Sequence, residues 1–172
     1  SIDPIENISL ILDEFDPNCN TGLHVDCCLG SFIVPWMEEI GYKLSTLFDF
    51  RVKRVTSISV DTHKYGYADK GSSVILYKNH DDWRKHQIFV DTNWSGGIYG
   101  TPTLAGSTSG KDSAGTWGTM VYIGKSKYRE YTKKIIMLAQ KIIDIINNID
   151  ELDILGVPEV MVVAFKTVKK YN

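Results

Sequence analysis

Apolar and polar positions along this chain repeat with two periods. Val55-Thr56-Ser57-Ile58-Ser59-Val60 alternates β-branched residues with hydroxyls, and Val74-Ile75-Leu76-Tyr77 is apolar throughout. Both runs have strand length, and the unbroken second one predicts burial on both faces. The stretch between them reads as a hairpin-like return. Near the start, Asp3-Pro4 predicts a helix opening with Asp as N-cap and Pro in the first turn. That helix covers roughly residues 4–14, with Ile5, Ile8, Ile11 and Leu12 on one face. Asp16 to Gly22 is a turn, and Leu23 to Cys27 a short strand. Helix, turn and strand in this order predict an α/β crossover sheet, whose ligands bind at the carboxyl ends of its strands. Asp26 lies at such an end.

Phe32 to Leu47 is mixed: Pro35 interrupts it, and Trp36, Met37, Ile40 and Leu44 predict a short amphipathic helix from about 36 to 46. Asp81-Asp82-Trp83-Arg84 starts a short helix, and Ile88-Phe89-Val90 is a strand candidate. Residues 91–116, rich in Gly, Ser and Thr, predict a long functional or disordered loop. Ser113 to Ile123 reads as helical. Tyr128 to Ile149 reads as an amphipathic helix whose core stripe is Tyr131, Ile135, Leu138, Ile142, Ile145 and Ile149. Gly156-Val157-Pro158 then breaks the chain before Val160 to Phe165, which predicts a buried strand. No internal repeat appears.

Composition narrows the classes. A chain of 172 residues, 43% hydrophobic and 23% charged, is long enough to bury one core. A net charge of −2 gives no bulk attraction for nucleic acid or an anionic membrane. The apolar runs are too short to span a bilayer, and Ser1-Ile2-Asp3-Pro4 lacks a signal-peptide pattern. Cys19, Cys27 and Cys28 are odd in number, which predicts reduced thiols facing the cytosol. Zinc binding by these cysteines with His24 is set aside, because paired C-x-x-C spacing is missing. Gly106-Ser107-Thr108-Ser109-Gly110-Lys111 is not a nucleotide loop, since three residues separate its glycines and Asp112 follows the lysine.

The candidate chemistry sits between the two strand runs, in Asp61-Thr62-His63-Lys64-Tyr65-Gly66-Tyr67 and Lys70-Gly71-Ser72-Ser73. A lysine placed where strands end loses solvent on one side, which destabilises its ammonium toward the nucleophilic amine of a Schiff-base lysine. The plainer alternative makes Lys64 and Lys70 solvated turn residues. Asp26 is likewise either a turn or capping carboxylate or the partner of a buried cation.

These segments resemble the lysine region of sphingosine-1-phosphate lyases. His24-Val25-Asp26-Cys27-Cys28-Leu29-Gly30 resembles the upstream His-Val-Asp-Ala-Cys-Leu-Gly motif, and Phe48-Asp49-Phe50-Arg51-Val52 the segment between. Gly96-Gly97-Ile98-Tyr99 and Pro102 to Ser107 resemble the segment after. Order and spacing agree over most of the chain. The resemblance implies the pyridoxal-phosphate-dependent decarboxylase group of the aspartate-aminotransferase fold type. Residues 1–124 would be the C-terminal part of its cofactor-binding large domain, a mostly parallel sheet flanked by helices. Residues 125–172 would be the connecting helix and the start of a small α+β domain, with the family's N-terminal half, including its membrane anchor, absent.

The implied cofactor is pyridoxal 5'-phosphate. By resemblance, Lys64 carries the cofactor, Asp26 faces its ring nitrogen, His63 its phosphate and Cys27 its ring. Lys70 serves the substrate phosphate or proton traffic, and Gly97 lies in a loop near the active site at the dimer interface. The implied reaction is retro-aldol cleavage of a phosphorylated long-chain base to a fatty aldehyde and phosphoethanolamine, by a homodimer at the endoplasmic reticulum membrane in eukaryotes. Amino-acid decarboxylation and a non-catalytic fragment are the competing readings. Three departures stand out: Asp69 where the family has Pro, Thr108 where it has Arg, and Ser31 where it has Gly, a residue that tolerates positive φ. Cys27 is also a larger thiol where the motif has Ala.

Overall fold

The computed structural model describes residues 2–18, 21–85, 89–101, 103 and 105–168. Ser1, Cys19, Ile88, Pro102 and Leu104, named above, lie outside them. Its central sheet has the order β1 (Leu23–Asp26), β2 (Val55–Val60), β3 (Val74–Tyr77). β1 and β2 run parallel with Asp26 beside Ser59, and β2 and β3 run antiparallel with Val60 beside Val74. The carboxyl ends of β1 and β2 therefore open at the same end of the sheet. Helix α1 (Ile5–Phe15) precedes β1 and α2 (Val34–Glu39) follows it.

β2 lies in the middle of the sheet and is the buried strand: Val55 is fully buried, and Ser57, Ile58 and Val60 are nearly so. They meet Ile5, Val25, Phe32, Val34, Phe48 and Tyr128 in the main core. β3 departs from expectation. It is the edge strand of the sheet, and Val74, Ile75 and Leu76 are 36%, 53% and 45% exposed, so an apolar run does not by itself establish two-sided burial. Pro35 does not interrupt a helix. It sits in the first turn of α2, where its missing N–H costs nothing, and the helix ends at Glu39, well short of 46. Pro4, not Asp3, occupies the N-cap of α1, and Asp3 contributes its backbone carbonyl to Ile5 N at 2.7 Å.

The stretch 91–116 is more ordered than its composition predicts. After α3 (His80–Lys85), β4 (Phe89–Asp91) and β5 (Tyr99–Thr101) form a hairpin, and Lys111 already opens α4 (Lys111–Asn147). α4 is two helices joined at Gly124, whose φ of 66° and ψ of 167° belong to glycine. Its buried face past that break is Tyr128, Thr132, Ile136, Ala139 and Ile146, whereas Leu138, Ile142 and Ile145 are exposed. The expected stripe was displaced around the helix because Ile135-Ile136, Ile142-Ile143 and Ile145-Ile146 are doublets that satisfy either face. Packing of Ile33 and Met37 against Ile136 selects the observed one. After α4, β6 (Leu152–Ile154) pairs with β7 (Phe165–Thr167). The expected strand at 160–165 is thus mostly loop, with Val160 and Met161 packed on the core, and the strand itself is later and exposed.

Arg54 ties α1 to the sheet. Its side chain is 3% exposed, its Nε is 2.6 Å from Asp13 Oδ1, and its guanidinium donates to the carbonyls of Leu12, Asp16 and Thr21. Removing a buried cation whose partners stay behind is costly. Arg54→Ala is expected to lower unfolding free energy in urea by about 3 kcal/mol, with Lys53→Ala, which removes an exposed Asp13 partner, changing it by less than about 1 kcal/mol.

Candidate active site

Parallel pairing of β1 with β2 brings two carboxylates to one end of the sheet. Asp26 ends β1, and its Oδ1 accepts three hydrogen bonds: from Cys28 N at 3.0 Å, from Ser59 Oγ at 2.9 Å and from Cys28 Sγ. These donors, the Cys28 thiol foremost, lower the Asp26 pKa from 3.8 to about 2. Oδ2 has no donor among the described residues. The same hydrogen bond pushes the Cys28 thiol up, and burial pushes Cys27 up to about 11. Cys27 belongs to the apolar core, and with Asp26, His24 and Val25 it lines a cavity of about 510 Å³ bounded by Ile5 and Val160. Lys64 is not in that lining.

Asp61 follows β2 and holds Lys64, with Nζ 2.9 Å from Oδ2; His63 Nε2 lies 3.9 Å from the same oxygen. Ser73 Oγ donates to the other oxygen at 3.2 Å. Here the structure reverses an expectation. Lys64 is not destabilised as an ammonium, because its hydrogen bond to Asp61 outweighs desolvation and raises its pKa, while Asp61 is lowered by the same bond. The side chain keeps 37% of its exposure, and the desolvation it does suffer is offset by the Asp61 hydrogen bond. Asp26 and Cys28 add to the field at Lys64, which brings the two carboxylate clusters within electrostatic reach of one amine.

The Lys64 loop is tightly specified. Ala68 N bonds Thr62 O at 3.0 Å and Tyr67 N bonds Lys64 O at 3.1 Å. A Cβ on Gly66 would collide with the Thr62 carbonyl oxygen and lie 2.8 Å from Phe32 Cε2, so only glycine fits. Ser31 is not a positive-φ position, so replacing glycine brings no backbone strain there, although its buried Oγ has no hydrogen-bond partner. Asp69 and Thr108 are exposed. Lys70 is exposed in the turn before β3, and Gly97 is exposed in the β4–β5 loop with φ of 111°. Neither hydrogen-bonds to Asp26, Asp61 or Lys64 among the described residues. The sequence reading overlooked Asp61, Ser59 and Cys28 as partners. Asp61 was detectable as a carboxylate three residues before Lys64, whereas Ser59 meets Asp26 only through strand register.

A pyridoxal cofactor needs a carboxylate for its ring nitrogen, an amine for its aldehyde and donors for its phosphate. The donor set fits. Among the described residues Asp26 Oδ2 has no donor, Lys64 lies within electrostatic reach of Asp26, and His63 Nδ1 is buried without a hydrogen-bond partner.

The profile of the pyridoxal-dependent decarboxylase conserved domain matches residues 1–168. The chain belongs to this family. It is 47% identical over 163 residues to sphingosine-1-phosphate lyase 1 of Rattus norvegicus, covering 95% of this chain and 28% of that protein. It is 49% identical over 166 residues to the sphingosine-1-phosphate lyase of Saccharomyces cerevisiae, covering 96% and 27%. The solved sphingosine-1-phosphate lyase of Burkholderia pseudomallei superposes with a TM-score of 0.88 at 41% identity, over 97% of this chain and 37% of that one. A Lactobacillus brevis glutamate decarboxylase shares the fold, with a TM-score of 0.73 at 20% identity over 95% and 36%. The chain thus spans between a quarter and a third of the curated relatives just named. Its α/β architecture is part of the aspartate-aminotransferase-like fold of these pyridoxal-phosphate enzymes.

Proposed function

We propose that this chain forms the lysine-bearing part of a pyridoxal-phosphate-dependent aldehyde-lyase that cleaves sphingosine or sphinganine 1-phosphate to a fatty aldehyde and phosphoethanolamine. The observation that carries this reading is Asp26 at the end of β1 with Lys64 in the loop after the adjacent parallel strand β2, within electrostatic reach of it, in a chain 41–49% identical to sphingosine-1-phosphate lyases. When bound, the cofactor supplies a sink for the electrons of the broken carbon–carbon bond.

The chain's own groups take the remaining roles. Asp26 Oδ2, ionised at any working pH, holds a proton at the ring nitrogen. Lys64 holds the cofactor through Nζ and afterwards moves a proton at the substrate carbon. Asp61 keeps that amine oriented. His63 is assigned to the cofactor phosphate, Cys27 to the ring face, and Lys70 to the substrate phosphate or to proton transfer. Gly97, in the β4–β5 loop, is assigned to the active-site rim at a homodimer interface. The division between large and small domains is placed at Gly124, where α4 breaks. The enzyme is placed facing the cytosol, where Cys27 and Cys28 stay reduced, at the endoplasmic reticulum in a eukaryotic host. Among the described residues no helix is long and apolar enough to cross a membrane.

Product analysis on the intact protein tests the reading. Sphinganine 1-phosphate is expected to yield long-chain aldehyde and phosphoethanolamine in equal amounts without carbon dioxide. Carbon dioxide from an amino acid, with no aldehyde from the lipid, would make it a decarboxylase, and neither product from cofactor-loaded protein would make it non-catalytic.

A further inference from the structure

Lys64 stands midway in a loop that is fastened two residues before it and two residues after it. On the upstream side, Thr62 is 2% exposed, and its Oγ1 is 2.8 Å from Ser72 Oγ. That hydroxyl is in turn 2.7 Å from Thr116 Oγ1, buried on the first segment of α4. On the downstream side, the Gly66 carbonyl accepts a 2.9 Å hydrogen bond from the Tyr128 hydroxyl, and Tyr128 is 4% exposed on the second segment. Tyr67, the next residue, has φ of 61° and lies edge-on to Tyr131 of that segment, with ring centroids 5.5 Å apart. Among the described residues it is the one non-glycine with positive φ, so the loop keeps a backbone conformation that L side chains rarely adopt.

The two fastenings come from opposite sides of the Gly124 break. Nothing lies within 4 Å of where a Gly124 Cβ would be, so glycine there answers to the backbone turn and not to packing. The angle between the two segments therefore determines how Thr116 and Tyr128 sit relative to each other, and through them the span from Thr62 to Gly66.

We infer that Thr116 and Tyr128 are positioning residues for Lys64, gripping its loop from the two segments of α4 so that Nζ stays on the Asp61 carboxylate. An ion pair with a lysine 37% exposed is weakly ordered on its own side-chain energetics, and a fixed backbone supplies the missing order. The titratable groups facing Lys64 are Asp61, Asp26 and Cys28, with His63 on the same Asp61 oxygen. Neither grip adds a charge, since one is a threonine and the other a phenol whose pKa burial raises. A change in Lys64 titration on removing either grip is thus transmitted by geometry. The bearing on catalysis rests on Lys64 being the cofactor lysine; the positioning itself does not.

The test is competitive acetylation of lysines with acetic anhydride from pH 7 to 12 on the intact, cofactor-free protein, read by peptide mass spectrometry against Lys43 as an internal reference. Tyr128→Phe keeps the ring against Trp36 and Phe32 and removes only the hydroxyl. In Tyr128→Phe, Thr116→Val and Gly124→Ala, the Lys64 midpoint is expected to fall by about half a pH unit. That is about a threefold larger free-amine fraction below the midpoint. Lys43 should not move, and Thr116→Ser should keep the parental Lys64 midpoint. A parental midpoint in Tyr128→Phe, with unchanged circular dichroism and melting, overturns the inference even if the valine variant fails to fold. Absence of pyridoxal phosphate on Lys64 of the parent protein would remove the catalytic reading and leave the titration result standing.

Discussion

Lys64→Ala is expected to abolish covalent capture of pyridoxal phosphate. After borohydride reduction, the parent protein should carry a pyridoxyl mass on the peptide containing Lys64, and the variant none. Aldehyde release should fall on the order of 10²–10⁴-fold or more, the range a positioned acid–base group contributes being a lower bound because the same residue is also the nucleophile. The sign of the pH dependence follows from Asp61. Because Asp61 raises the Lys64 pKa, the free amine is scarce at neutral pH and capture should accelerate as pH rises toward the alkaline range. Asp61→Asn removes the anion 2.9 Å away and should move that acceleration to lower pH. Label spread over several lysines, or retained in Lys64→Ala, would assign the cofactor elsewhere.

Asp26→Asn is expected to have the second largest effect. The carboxylate already spends Oδ1 on Cys28 and Ser59, so the free Oδ2 is what the ring nitrogen of the cofactor would meet. An amide there cannot stabilise a proton on that nitrogen by charge. Losing one charge-assisted hydrogen bond corresponds to about 10–100-fold weaker cofactor binding, measurable by equilibrium titration with pyridoxal phosphate, and turnover of loaded enzyme should drop further. Protonation is no substitute in ordinary buffers. The Asp26 pKa is depressed from 3.8 to about 2, so the interactions of the ionised form are fully present above the unfolded value and are lost only as pH falls through about 2. Activity lost between pH 6 and 5 would therefore have to come from another group. Equal cofactor affinity in parent and Asp26→Asn would dismiss Asp26 from the site.

Legibility differed from element to element for physical reasons. Val55 to Val60 was readable because β-branched residues and hydroxyls alternate along it, and so was the strand from Leu23, which follows a helix and a turn and was expected to reach Cys27, one residue past its end at Asp26. The Lys64 loop was visible as a cluster of chemistry between two strands. Its protonation state was misjudged because that depends on a 2.9 Å contact with Asp61, and a sequence shows a spacing of three residues but not a distance. Helix α4 was found in its two parts, yet its buried face was assigned one position away, since isoleucine doublets leave the choice to whatever packs against them. Cys28 and Ser59 were passed over as Asp26 partners for the same kind of reason: β1–β2 register places Ser59 beside Asp26, and the turn after β1 folds Cys28 back onto it.

The linear order of residues by itself determined the local periods, the turn at Pro17-Asn18 after α1, the helix starts near residues 4 and 113, and the identity of the reactive groups. These depend on backbone preference and on neighbours a few residues away. Tertiary structure alone decided that β3 is an exposed edge, that Ser59 reaches Asp26, that Lys64 is held by Asp61, and that Thr116 and Tyr128 reach the Lys64 loop. Each of those is a contact between segments far apart in the chain, formed only when parallel strand pairing and helix packing bring them together.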